Sequence, residues 1–221
     1  MGILYRIICL VIGYIFGLFQ TGYIYGKMNH IDIRDYGSGN AGTTNAMRVL
    51  GKKAGVITYL GDAFKGIFCG LLIRLIFGTF IDLDAAYVFV LVLYGGLGVV
   101  LGHNFPFYMK FRGGKGIAAS SGVIVSLFDL RLMLLALVTF AVITFVSKYV
   151  SLGSICMMMF FFIEIIIFGF LGWMPVSNTS YLLETYILAF ILSALAVYRH
   201  RSNIVRLLNG TERKIGQKKT E

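Results

Sequence analysis

The sequence predicts an all-α bundle of membrane-spanning helices, and three observations predict it. Hydrophobic residues make up 58% of the 221 positions, and mean hydropathy is +0.83. A soluble domain is about 45–50% apolar even when Gly is counted, so this chain has more apolar surface than it can hide within itself. The apolar residues also gather in stretches that approach the roughly 20 a helix needs to cross a bilayer. Finally, the intervening loops are basic and acidic in turn, as the positive-inside rule requires of a polytopic protein.

Seven segments are candidate spans. Residues 3–25 run into a polar loop without a small-residue cleavage site, so they read as a retained span and not a signal peptide. Residues 55–79 carry Asp62, Lys65 and Arg74. Asp62 and Lys65 are three apart, on one helical face, and intramembrane charges are usually paired, which makes them a structural ion pair. Residues 85–102 carry no charge. Residues 116–128 and 132–147 are short, and a five-span alternative folds 116–147 into one shallow hairpin. Residues 151–172 hold Glu164 among Met and Phe, and 181–198 complete the set. Seven and five are both odd, so the chain ends lie on opposite sides. No long linker or repeat divides the chain, so 1–221 reads as a single membrane domain, with 209–221 a flexible basic tail.

Net charge is +10. In a soluble protein that would point to nucleic acid; here it is orientation. Alternating the seven spans puts sixteen of the 20 Lys and Arg on one side, including Lys27, Arg34, Arg48, Lys115, Lys148 and the tail from Arg199 to Lys219. The other side has Asp82, Asp84, Asp129 and Glu184, with Arg131. The N-terminus is therefore expected outside and the C-terminus in the cytoplasm. Cys9, Cys69 and Cys156 all fall in apolar segments, with no CxxC, disulfide framework or metal-ligand spacing.

Three polar regions converge on the basic side. In GHNFPFYMKFRGGKG, 102–116, the glycines Gly113, Gly114 and Gly116 allow a tight turn that aims N–H groups inward as an anion nest, with Lys115 adding charge. Gly116 stands where a nucleotide-binding P-loop needs Ser or Thr, so the reading is a phosphate site without a nucleotide. His103 sits where a span ends, a place often taken by an interfacial polar residue, and is a candidate for substrate binding. In GSGNAGTTN, followed by Arg48, the working candidates are Ser38, Asn40, Asn45 and the forked guanidinium of Arg48. In the tail, His200 and Asn203 are three apart and share a face if the helix continues. No carboxylate cluster joins them, so the site suits two small anionic groups without metal or cofactor.

Taken in order, GSGNAGTTNAMRVLG, GHNFPFYMKFRGGKG and HRSNIVRLLNGTE resemble the bacterial PlsY family of acyl-phosphate:glycerol-3-phosphate acyltransferases. The resemblance spans almost the whole chain. It implies a multi-pass enzyme of the bacterial inner membrane, its site facing the cytoplasm. Such an enzyme moves a fatty acyl group from acyl phosphate to the sn-1 hydroxyl of glycerol 3-phosphate, giving lysophosphatidic acid. It also implies an acyl-phosphate-producing enzyme as a neighbour. By motif it assigns activity to Ser38, Arg48, Lys115, His200 and Asn203. It assigns glycerol 3-phosphate binding to the Gly113–Gly116 loop, hydroxyls near the site to Ser151 and Ser154, and a structural role to Glu212.

Two other motifs lie in the first loop. Gly37, Gly39 and Gly42 spell G-x-G-x-x-G, but no strand precedes them, so the dinucleotide reading lacks its βαβ setting. His30 and Asp35 spell H-x4-D, as in acyltransferases that use acyl-CoA or acyl carrier protein, yet only NGTER at 209–213 echoes the second block of that class. A transporter of small organic phosphates is the non-enzyme rival, but its usual inverted repeats are not apparent.

Overall fold

The computed structural model describes residues 2–216; residues 217–221, with Lys218 and Lys219 of the expected basic tail, lie outside the described residues. Ten α-helices follow in order: α1 Gly2–Leu18, α2 Thr21–Met28, α3 Thr43–Leu50, α4 Lys52–Ile73, α5 Ala85–Asn104, α6 Ile117–Ser126, α7 Leu130–Ser147, α8 Val150–Phe170, α9 Leu182–Arg199 and α10 Arg201–Leu208. No described residue lies in a strand.

Helix α5 is the axis of the bundle. It is buried on nearly every side, with Val90, Leu91, Val92 and Leu93 fully enclosed, and it packs on α1, α4, α6 and α9. The α1–α5 contact is made backbone to backbone. A Cβ on Gly13 would strike the Gly95 carbonyl, and one on Gly98 would strike the Leu10 carbonyl. Between membrane helices, where lipid is as apolar as Leu, such close approach through small residues supplies the packing. The outer helices instead show apolar side chains outward: Val146 is 80% exposed and Phe170 86%.

Six helical stretches are long and apolar enough to cross a membrane: Gly2–Met28, Lys52–Phe80, Ala85–Met109, Leu130–Ser147, Val150–Phe170 and Leu182–Arg199. The seventh expected span, 116–128, is only the ten residues of α6, about 15 Å by helical rise. Its first turns lie beside Ala63 and Gly66, well inside α4, and its end is held by Arg74, which donates to the carbonyls of Ser126 at 3.1 Å and Leu127 at 3.0 Å. Residues 113–116 return to the end of α5 before α6 begins, while Phe107, Tyr108 and Lys110–Arg112 stay exposed, so α6 starts beside the middle of α4. The hairpin alternative for 116–147 fares no better, since α7 by itself has 18 residues.

Contacts between helix ends fix the direction of each pass. Arg6, Tyr87 and Glu184 meet at one end, where the Arg6 guanidinium donates to Glu184 at 2.7 Å and to Tyr87 at 2.9 Å. At the opposite end, loops 29–42 and 105–116, the start of α8 and the segment after α9 come together. The Asp62–Lys65 pair forms at 3.0 Å, and Lys65 also donates to the Phe19 carbonyl at 2.7 Å. That carbonyl is freed where α1 breaks before α2, so the intramembrane ammonium satisfies a helix end.

Candidate active site

A cavity of about 620 Å³ opens at this polar end, lined by the first loop, the start of α6, α8 and the segment after α9. The first loop is built by its own side chains. Gly37 and Gly39 take left-handed φ values of 64° and 70°. Asn45 is 1% exposed; its Oδ1 accepts the Ser38 N–H at 2.8 Å, and its Nδ2 donates to the carbonyls of Ile33 at 2.9 Å and Tyr36 at 3.1 Å. Asn45, expected as a substrate contact, lines the cavity and staples the loop through these three backbone bonds. Asn40 Oδ1 likewise accepts the Gly42 N–H at 2.9 Å, leading the chain into α3. Ser38 and Arg48 line the cavity, and neither side chain has a hydrogen-bond partner among the described residues.

The glycine nest expected at 113–116 is built differently. The Gly113 N–H donates to the Asn104 carbonyl at 3.2 Å and the Gly114 N–H to the His103 carbonyl at 3.1 Å. These two donors are held by the end of α5, so Gly113 and Gly114 shape the loop and do not offer their own N–H groups to the cavity in this structure. A Cβ on Gly114 would overlap the His103 ring. Gly116, with φ 86°, turns the chain into α6, and the first turn of that helix lines the cavity. Its leading N–H groups have no intrahelical acceptor. His103, 3% exposed, lines the cavity from within, and its Nδ1 lies 2.7 Å from Lys65 Nζ. It is therefore anchored to the Asp62–Lys65 pair and is not a free interfacial side chain.

On the opposite wall, one amide links the two charged groups of the site. Lys115 Nζ donates to Asn203 Oδ1, and Asn203 Nδ2 donates to Glu212 Oε1 at 2.6 Å. Glu212 also accepts from Ser151 Oγ at 2.8 Å and Arg206 Nε at 2.7 Å. Burial pushes Lys115 down to about 8, against the pull of Glu212. Burial opposes the charge of Glu212, but the hydrogen bonds from Asn203, Arg206 and Ser151 prevail and hold it below the usual carboxylate range. His200 is 3% exposed and its Nδ1 is 2.8 Å from the Ala196 carbonyl. That acceptor requires the proton on Nδ1 and leaves Nε2 with its lone pair. Burial, then Lys115, lowers His200 to about 4, so the ring is neutral at pH 7. Ser154 donates to the Val150 carbonyl at 2.8 Å and so presents its lone pairs to the cavity it lines.

Seven Lys and Arg side chains border this space, against the carboxylates of Asp62 and Glu212. Among the described residues no three His, Cys, Asp or Glu side chains gather as a metal set. A family model for glycerol-3-phosphate acyltransferase matches residues 7–210. The chain belongs to that family. It is 41% identical over 216 residues to the glycerol-3-phosphate acyltransferase of Thermoanaerobacter sp. (strain X514), covering 97% of this chain and 98% of the relative. It is also 41% identical to that of Clostridioides difficile (strain 630), covering 96% and 97%. Among solved structures it is similar to PlsY (YgiH), an integral membrane glycerol 3-phosphate acyltransferase. Against the glycerol 3-phosphate form the TM-score is 0.78 at 32% identity, covering 96% of each chain. Against the lysophosphatidic acid form it is 0.77 at 31%, covering 96% and 95%.

In this acyltransferase the H-x4-D pair is a coincidence of spacing: His30 and Asp35 are exposed and neither lines the cavity. Of the tail from 209, residues 212–215 line the cavity, with the Ile215 N–H on the Lys148 carbonyl at 2.9 Å. Arg199, Arg206, Arg213 and Tyr59, to which the motifs gave no role, also border the cavity. The signal for the three arginines lay only in the density of Arg after the last span, which lipid-headgroup contact would explain equally well; Tyr59, inside α4, carried none.

Proposed function

We propose that this acyltransferase moves a fatty acyl chain from acyl phosphate to the sn-1 hydroxyl of glycerol 3-phosphate, releasing phosphate and lysophosphatidic acid. One observation supports it above the rest: a single cavity joins a wall of cations to an apolar wall of Tyr59, Ile117, Phe140 and Val150. Such a space suits two phosphates and the head of an acyl chain. The donor is already activated, so the hydroxyl oxygen attacks the acyl carbon directly while its bond to the phosphate oxygen breaks. Arg48 and Lys115 neutralise the phosphates, and holding both substrates together supplies much of the rate. Ser38 is placed to contact a phosphate oxygen. The second Nδ2 proton of Asn203, or a leading N–H of α6, stabilises the oxyanion.

His200 Nε2 is the protein's candidate to take the hydroxyl proton, the rival acceptor being a phosphate oxygen. His200→Gln decides between them: if His200 is the base, the acidic limb of the pH–rate profile disappears, and if phosphate is the base the limb stays. The donor is tested by supplying labelled glycerol 3-phosphate to the purified protein with acyl phosphate, acyl-CoA or acyl carrier protein in turn. Lysophosphatidic acid from acyl phosphate is expected, and product from acyl-CoA alone would sink the reading. The whole chain acts as one domain in the bacterial inner membrane, its site facing the cytoplasm beside the enzyme that makes acyl phosphate. The one-sided distribution of Lys and Arg supports that placement.

A further inference from the structure

Arg199 stands one residue before His200 and borders the cavity. Its Nη2 donates to the Gly113 carbonyl at 3.1 Å and to the Gly114 carbonyl at 2.8 Å. Its guanidinium carbon sits 5.1 Å from the centre of the Phe105 ring, and its Nε is buried without a partner. Both hydrogen bonds its guanidinium makes go to these two peptides. The N–H groups of Gly113 and Gly114 are already held by Asn104 and His103, so Arg199 completes a frame in which all four polar groups of the two glycines are fixed. In a trans peptide the carbonyl and the following N–H point in opposite directions. Holding the Gly114 carbonyl thus turns the Lys115 N–H to the other side of the strand. Glycine adopts either hand of backbone readily, so without the clamp this peptide is free to rotate and present its carbonyl oxygen where an anion should bind.

We propose that Arg199 is a positioning residue: it clamps the Gly113 and Gly114 carbonyls, and so fixes the 113–116 loop in the orientation that receives a phosphate. The inference rests on the proposed binding of glycerol 3-phosphate at this cavity. Guanidinium is planar and forked, whereas ammonium is a point charge, so Lys should not replace Arg here.

The test uses the full chain in detergent, with glycerol 3-phosphate binding by calorimetry and the kinetics measured in parallel. Arg199→Met is expected to weaken glycerol 3-phosphate binding about tenfold or more and to raise KM more than it lowers kcat, the loss of about one charged hydrogen bond. Arg199→Lys should keep the charge and recover only part of the affinity. Soluble guanidinium, but not ammonium, should restore binding to Arg199→Ala. Wild-type affinity in Arg199→Lys would overturn the clamp, leaving charge alone as the role. Wild-type affinity in a folded Arg199→Met would overturn any role. If Arg199→Met does not fold, Arg199→Lys carries the decision. Should the wild type bind glycerol 3-phosphate yet make no lysophosphatidic acid, the proposed reaction fails while the binding series still reads the clamp.

Discussion

Lys115 and Glu212 do not meet directly; the Asn203 amide stands between them, accepting from one and donating to the other. The charge on Lys115 consequently depends on a balance between burial, which pushes it down to about 8, and Glu212, which opposes the fall. A lysine with its value lowered loses its proton as pH rises, so kcat/KM for glycerol 3-phosphate should decline as pH passes about 8. The limb in kcat should lie higher, because bound phosphate favours the ammonium. Lys115→Arg should move the kcat/KM limb up and out of range. Glu212→Gln should move it down, since the supporting carboxylate is gone. Identical profiles in all three proteins would exclude Lys115 as the titrating group. At this scale the sequence was partly legible. The Asp62–Lys65 pair follows from spacing, but its third member, His103, is far along the chain and only packing brings it there. The glycines of 113–116 were visible, yet the direction of a glycine N–H is not set by residue type, which is why the nest was expected where the structure has a clamp.

Among the elements, the α1–α5 contact is the one most sensitive to a single methyl group. Both partners of each close pair are backbone, and a helix backbone cannot swing aside as a flexible side chain does. Gly98→Val should therefore part α1 from α5 at a cost of about 1–3 kcal/mol or more, the range for overpacking. A thermal melt in detergent would show it, and an unchanged midpoint would contradict the packing described. Because the α1–α2 break and Gln20 rest on the end of α5, with Gln20 Nε2 donating to the His103 carbonyl at 3.0 Å, the damage should reach the site as well. The helices themselves were readable from hydropathy. The shortness of α6 was readable as well, though its reason was not: nothing local in 105–116 announces that residues 113–116 will return to the end of α5.

For the molecule as a whole, the six long helical stretches are ordered by contacts at their ends, and the two termini of the described chain lie at opposite ends of the bundle. If the basic end faces the cytoplasm, a cysteine introduced at Thr211 should resist a membrane-impermeant thiol reagent added to intact cells, whereas one at Asp82 should react. The reverse pattern would invert the assigned orientation. The global arrangement was more legible than the site because the bilayer imposes it: apolar length and loop charge are one-dimensional properties, whereas a cavity requires three distant segments to meet.

The depth of the cavity bears on the cost of handling an acyl chain. The floor of the cavity lies below the loop end of α4, level with the side chains of Tyr59 and Asp62. An acyl chain attached at that depth can remain among lipid tails throughout the reaction while only the headgroup chemistry is exposed to water. Desorbing a 16-carbon chain would cost roughly 12 kcal/mol at about 0.8 kcal/mol per methylene. An enzyme that works at this depth avoids that desorption.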